Sequence, residues 1–176
     1  MRPSQASSAP AAADSLKFAF APVVDQATRL LILGSLPGEV SLQRGEYYAN
    51  RQNQFWRLME AVTGVGLGDP YEQRLQRLLA AGVGLWDVVA SATRIGSLDA
   101  AIRGHRANAL AELAAGLPSL RAVAFNGAKA SAIGRLQFAD QHDLTLITLP
   151  SSSPAYTAPF ERKLAAWRQL RAFLSS

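Results

Sequence analysis

Four short apolar runs, at 29–33, 83–89, 122–125 and 144–149, punctuate a chain that otherwise carries its hydrophobic residues at helical spacing. Each run is too short for a helix, has β-branched or aromatic content, and reads as a strand buried on both faces. Between them, 53–62 places Phe55, Leu58, Met59 and Val62 on one helical stripe, and 71–81 does the same with Leu75, Leu78 and Leu79 before Gly82, a left-handed cap. Further helical segments are expected at 107–115, 128–138 and 160–174. Strand alternating with helix predicts an α/β fold: a three-layer α/β/α sandwich around a short, mainly parallel four-stranded sheet. Residues 17–176 form a single domain on this reading. Residues 1–16, rich in Ala, Ser and Pro, form a flexible arm, since they offer little large apolar surface to offset the entropy of ordering.

In an open parallel sheet, ligands bind beyond the carboxyl ends of the strands. The segments that follow the four runs are Gly34-Ser35-Leu36-Pro37-Gly38, Ala90-Ser91-Ala92-Thr93-Arg94, Asn126-Gly127 and Pro150-Ser151-Ser152-Ser153-Pro154-Ala155. Four polar loops at one sheet edge describe a site. The first sets two glycines around a proline, so the backbone turns sharply and aims N–H groups at an anion or a carbonyl. It lacks the Gly-Lys-Ser/Thr of a Walker loop and the GxGxxG of a dinucleotide fold.

Composition narrows the chemistry. The 176 residues include no cysteine and two histidines, which excludes disulfides and thiolate metal ligands and argues against a His-based metal site. No metal and no cofactor are expected. His105 and His142 read as solvated surface residues. Every apolar run is broken by Arg, Asp or Glu well short of the roughly 18 residues a membrane span requires, and 9–13 does not supply the apolar core of an export signal. A cytoplasmic monomer is expected. The net charge of +5 arises from 15 Arg and 3 Lys, and the guanidinium fork suits the phosphates of a polyanion.

The run Tyr47-Tyr48-Ala49-Asn50-Arg51-Gln52-Asn53-Gln54-Phe55-Trp56 is unusually aromatic and amide-rich for a loop. Rings stack on an unpaired base while amides read its edge; Phe55 and Trp56, in contrast, read as the first core residues of the helix. Taken in order, Leu31-Ile32-Leu33-Gly34-Ser35-Leu36-Pro37-Gly38, Tyr47-Tyr48, Asn53-Gln54-Phe55-Trp56, the stretch 82–93, Phe125-Asn126-Gly127 and the stretch 149–155 resemble the uracil-DNA glycosylase superfamily. The likeness is greatest to its mismatch-specific and deoxyinosine (hypoxanthine) DNA glycosylase branches. It implies a monofunctional DNA N-glycosylase that flips a deaminated base, hypoxanthine or uracil, out of double- or single-stranded DNA and leaves an abasic site.

The resemblance also distributes roles. Backbone N–H groups of Ser35 and Leu36 would hold the base, with Tyr47, Tyr48, Asp87 and Asn126 around it. The mismatch-specific branch carries an Asn where this chain has Leu36, and leucine cannot position a water. Asn53 is the favoured replacement and Ser35 the other; Asn53 could alternatively cap its helix. Asp87 falls where relatives place a base-reading Asn, and a carboxylate can accept from a base N–H; it could instead cap the backbone near Ser91 or Thr93. Ser151, Ser152 and Ser153, with Lys129 at a helix start, are expected at DNA phosphates, or the serines form an ordinary turn. Tyr156 is the candidate wedge in the base stack. Two rivals stand: a catalytically inactive nucleic-acid-binding module of the same fold, and a serine hydrolase, which lacks its Gly-x-Ser-x-Gly elbow.

Overall fold

The computed structural model describes residues 15–175. Its centre is β2 (Leu30–Gly34), all five residues buried. On one side it pairs in parallel with β3 (Val83–Asp87), and on the other with β6 (Ala122–Asn126), which in turn pairs with β7 (Thr145–Leu149). The sheet order is therefore β3-β2-β6-β7. The alternating side chains of β2 enter two separate cores: Leu30 and Ile32 meet Phe55, Leu58, Met59, Leu78 and Trp167, whereas Leu31 and Leu33 meet Leu110, Ala114, Ala130 and Phe138. Because successive strand residues point to opposite faces, this partition is the α/β/α layering itself.

The first layer holds α2 (Phe55–Thr63), α3 (Tyr71–Ala80) and α6 (Phe160–Trp167); the second holds α4 (Leu110–Ala115) and α5 (Ala128–Gly134). Gly82, at φ +86°, follows α3 and donates to the Leu79 carbonyl at 2.8 Å. Two helical segments end more tightly than the spacing predicts, as 3-10 turns at Arg135–Phe138 and Arg168–Phe173. Helix α2 starts at Phe55, two residues after the expected Asn53.

The run 83–89 is not one strand. It breaks at Val88, whose N–H donates to the Gly34 carbonyl at 2.8 Å, and the chain then enters a second, antiparallel sheet of β1 (Leu16–Phe18), β4 (Val89–Thr93) and β5 (Arg103–Ala107) in the order β1-β4-β5. A continuous apolar run carries no mark of where a strand changes sheets. The Asn108 amide secures the break by donating to the carbonyls of Asp87 and Val89 at 2.8 and 3.3 Å. Strand β5 is exposed at every residue, so no hydrophobic signal announced it; it contains His105 and takes Ala107 from the helix expected at 107–115. Leu16, the last residue of the expected arm, opens β1; residues 1–14 of that arm lie outside the described residues. A short helix, α1 (Glu39–Arg44), follows the first glycine loop unannounced. No helix among the described residues is long and apolar enough to cross a membrane.

Candidate active site

At the carboxyl edge of the parallel sheet lies a cleft of about 990 Å³. The loops after β2, β6 and β7 reach it, as do Asp87 at the end of β3, the turn that follows β4 and the segment between α1 and α2. The stretch 90–94, expected as the loop after the second strand, is instead mostly β4 and stays outside the cleft, because the chain changes sheets at Val88. Ser35, Leu36, Tyr47, Tyr48, Asn53, Asp87, Asn126, Lys129, Ser151, Ser152, Ser153 and Tyr156 all line this one cavity. Sequence-distant residues converge there because the strands are parallel and each ends at the same edge.

Asp87, the last residue of β3, sits at the bottom with 4% of its surface exposed. Its Oδ2 is buried and has no hydrogen-bond partner among the described residues. Burial, reinforced by the nearby Asp99 and opposed by Arg94, pushes its carboxyl up from the usual carboxylate range to about 7. It is therefore close to half protonated at neutral pH and presents a donor as well as an acceptor, where the sequence suggested a carboxylate that only accepts. A methyl group on Gly34 would lie 2.6 Å from Asp87 Oδ1 and 3.0 Å from the Tyr48 hydroxyl, so only glycine lets both groups gather over the end of β2.

Tyr48 is held with care. Its backbone lies in the left-handed region at φ +52°, rare for a bulky residue, and its ring stacks on Phe55 at 3.9 Å between centroids. One ring face is thus occupied by protein, and burial raises the hydroxyl above its ordinary pKa, so it stays protonated. Tyr47 differs from the stacking role expected of it. Its ring packs edge-on to Phe20 and its hydroxyl donates to the Ala21 carbonyl at 2.9 Å, so although the residue contributes to the cleft lining its ring is committed to the core.

Asn126 and Ser152 are engaged with each other. The Asn126 amide donates to the Ser152 hydroxyl at 2.8 Å and to the Tyr48 hydroxyl at 3.3 Å, and accepts from the Ser152 N–H at 2.9 Å. Ser152 is fully buried, so its hydroxyl is not offered to a phosphate and the expectation for it is corrected; the reason is that its loop turns inward to meet β6. Ser151 and Ser153 are half-buried at the wall, and Lys129 lies beside them on the first turn of α5. Tyr156 is 48% exposed at the rim, with the Lys163 ammonium 5.4 Å from its ring centroid. Asn53 combines both of its sequence readings: it lines the cleft, and its Oδ1 accepts from the Phe55 N–H at 3.0 Å at the start of α2.

Two groups at the site were not identified from sequence. Asp99, in the 3-10 turn Asp99–Ala101, reaches into the cleft and accepts a 2.5 Å hydrogen bond from the Ser35 hydroxyl. Arg94, 2% exposed, donates to the carbonyls of Gly96 at 2.9 Å and Leu36 at 3.4 Å, and also to that of Pro37. It fastens the glycine loop to the loop that carries Asp99. The only sequence signal was a charged pair flanking the Gly96-Ser97 turn, which nothing in the spacing connects to residue 35.

The sequence profile of the Uracil DNA glycosylase superfamily matches residues 21–172. The chain belongs to that superfamily. Two relatives named Hypoxanthine DNA glycosylase agree with this placement. That of Methanosarcina barkeri is 34% identical over 154 residues, 87% of this chain and 96% of its own length. That of Methanosarcina acetivorans is 37% identical over 153 residues, 86% of this chain and 96% of its own length. A solution NMR structure of a Methanosarcina acetivorans protein, provisionally assigned as a uracil DNA glycosylase, superposes with a TM-score of 0.78 at 34% identity and covers 90% of this chain and 99% of that one.

Proposed function

We propose that this superfamily member is a monofunctional DNA glycosylase that excises hypoxanthine, acting as a monomer on duplex DNA. The carrying observation is Asp87, buried at the bottom of a cleft roomy enough for a whole flipped nucleotide, with one carboxyl oxygen lacking a partner among the described residues; burial raises its carboxyl toward the protonated form. A neutral carboxyl accepts from the N–H and donates to the adjacent carbonyl of hypoxanthine, two hydrogen bonds on one edge. The names of the relatives support the choice of lesion.

In this reading, the lesion turns out of the helix into the cleft while Tyr156 occupies the gap and Ser151, Ser153 and Lys129 meet neighbouring phosphates. The N–H groups of Ser35 and Leu36, with Asp87, take up the negative charge that the base acquires as it departs. Asn53 holds the water. An amide suffices because the sugar becomes cation-like before the water bonds to it, so positioning contributes more than basicity. Tyr48 and Asn126 keep the walls of the pocket in register. Lys129, the lysine of the cleft lining, serves the phosphates in this reading, so no Schiff base forms and the strand stays intact.

The test is an excision assay on duplexes carrying hypoxanthine, uracil or xanthine, with and without alkali. Strand breaks that need alkali and are fastest for hypoxanthine are expected. Alkali-labile sites from none of the lesions, together with measurable DNA binding, would instead identify an inactive binding module.

A further inference from the structure

The glycine loop carries an apolar side chain, Leu36, at its middle, so that position offers no polar group to a water. The nearest polar group in that loop is Ser35, and its hydroxyl is not free to rotate. Its single proton is donated to Asp99 Oδ1 at 2.5 Å, the short distance of a hydrogen bond to an ionised carboxylate. With the proton committed, the Oγ lone pairs remain, and Ser35 lines the cleft. A hydroxyl fixed in this way can only accept. The geometry is maintained from three directions: Arg94 clamps the carbonyls of Leu36, Pro37 and Gly96, the Ser97 hydroxyl accepts from the Glu39 N–H at 2.9 Å, and the Asp99 turn closes through the Ile102 N–H to the Asp99 carbonyl at 3.1 Å.

From this we infer that Ser35 and Asp99 form a hydroxyl–carboxylate pair that orients the attacking water and receives its proton, with Asp99 supplying from a different loop what Leu36 cannot. The inference rests on the glycosylase reading above and extends it. When the C1′–N bond breaks, its electron pair leaves with the base. The water oxygen then forms the C1′–O bond, the water proton passes to Ser35 Oγ, and the Ser35 proton passes to Asp99. The carboxyl returns that proton to the departed base or to solvent, so the sum is hydrolysis with no further reactant. Asn53 holds the same water through its amide, and the pair fixes the direction of its O–H. Asp99 acts through Ser35 and is a positioning residue. Asp87, deeper and beside the base, keeps the separate task of hydrogen-bonding its edge; two carboxyl groups in unlike settings divide the chemistry.

The experiment is single-turnover excision of hypoxanthine from a duplex by the full chain, with the maximal rate and the half-saturating enzyme concentration measured separately. Asp99→Asn can still accept from Ser35 but cannot take a proton, and Ser35→Ala removes the relay while leaving the turn in place. Each is expected to lower the maximal rate about a hundredfold and to leave half-saturation within about twofold. The double variant should be no slower than the slower single, because the two act as one unit. A maximal rate within about threefold of the parent for either variant, or losses that multiply in the double, would overturn the pair. Should Asp99→Asn fail to fold, seen as loss of cooperative melting, Ser35→Ala decides alone by the same criterion. If the parent excises no base, the glycosylase reading fails; if the parent excises and the variants do too, only the pair fails.

Discussion

Asp87 concentrates more consequence than any other residue. Its carboxyl titrates near 7 in the fold, against an ordinary value near 4, so between those limits the native state holds a proton that the unfolded chain has lost. Stability must then fall as pH rises across that window, by on the order of a few kcal/mol, and the full deficit is present above 7. Asp87→Asn should flatten the dependence. Urea melts from pH 4.5 to 8 are expected to show the variant more stable than the parent at the alkaline end, and a parent curve that rises with pH would contradict the assignment. Excision should respond in the same direction: a charged Asp87 repels the anionic leaving base, so the parent's single-turnover rate falls above about 7 and the Asn variant lacks that limb. Gly34→Ala is a second test at this scale. The added methyl collides with the Asp87 carboxyl and the Tyr48 hydroxyl, and a loss of about 2 kcal/mol in thermal or urea melts is expected, with excision reduced at least tenfold.

Between elements, two brackets hold the cleft open. One is the Asn126 amide, which joins the end of β6 to the loop after β7 through Ser152 and to the loop before α2 through Tyr48. Ser152→Ala removes one arm and leaves the amide short of a buried acceptor, a cost of about 1–2 kcal/mol. That variant should lose excision rate without losing its response to salt, since it touches no phosphate in this account. The other bracket is Arg94, which fastens the glycine loop to the turn bearing Asp99. Arg94 also opposes the upward push on Asp87. Arg94→Met is therefore expected to destabilise by about 2 kcal/mol and to move the alkaline limb of the excision profile to higher pH; movement to lower pH would show that the electrostatic coupling is misassigned.

For the whole molecule, a parallel sheet packed on both faces supplies a rigid edge, and the antiparallel sheet beside it carries the chain from β4 through the Arg94 and Asp99 loop to β5. Function at this scale is the approach of DNA, governed by an excess of five positive charges and by the few cations near the cleft. Lys129→Ala should weaken duplex binding for lesion and undamaged DNA alike and reduce the slope of log affinity against log salt by about one. An unchanged slope would remove Lys129 from the phosphate contacts.

What the sequence determined by itself is the layered α/β plan and the edge where chemistry occurs. The apolar runs and helical stripes are local patterns, and parallel strands oblige the end of the strand at residue 87 and the loops after residues 33, 125 and 149 to meet. Gly34, Asp87, Asn126 and the serine run were legible as lining of that edge for that reason, and Asn53 from the amide-rich run that precedes α2. Tertiary structure alone decided the break at Val88 and the exposed strand β5, whose residues carry no periodic signal. It alone also decided which polar groups face inward. Ser152 spends its hydroxyl on Asn126, Tyr47 withdraws into the core, and Asp99 crosses 64 positions to reach Ser35. Periodicity records which face of an element is buried; the partner of a side chain depends on how distant loops pack, and that information exists only in the assembled fold.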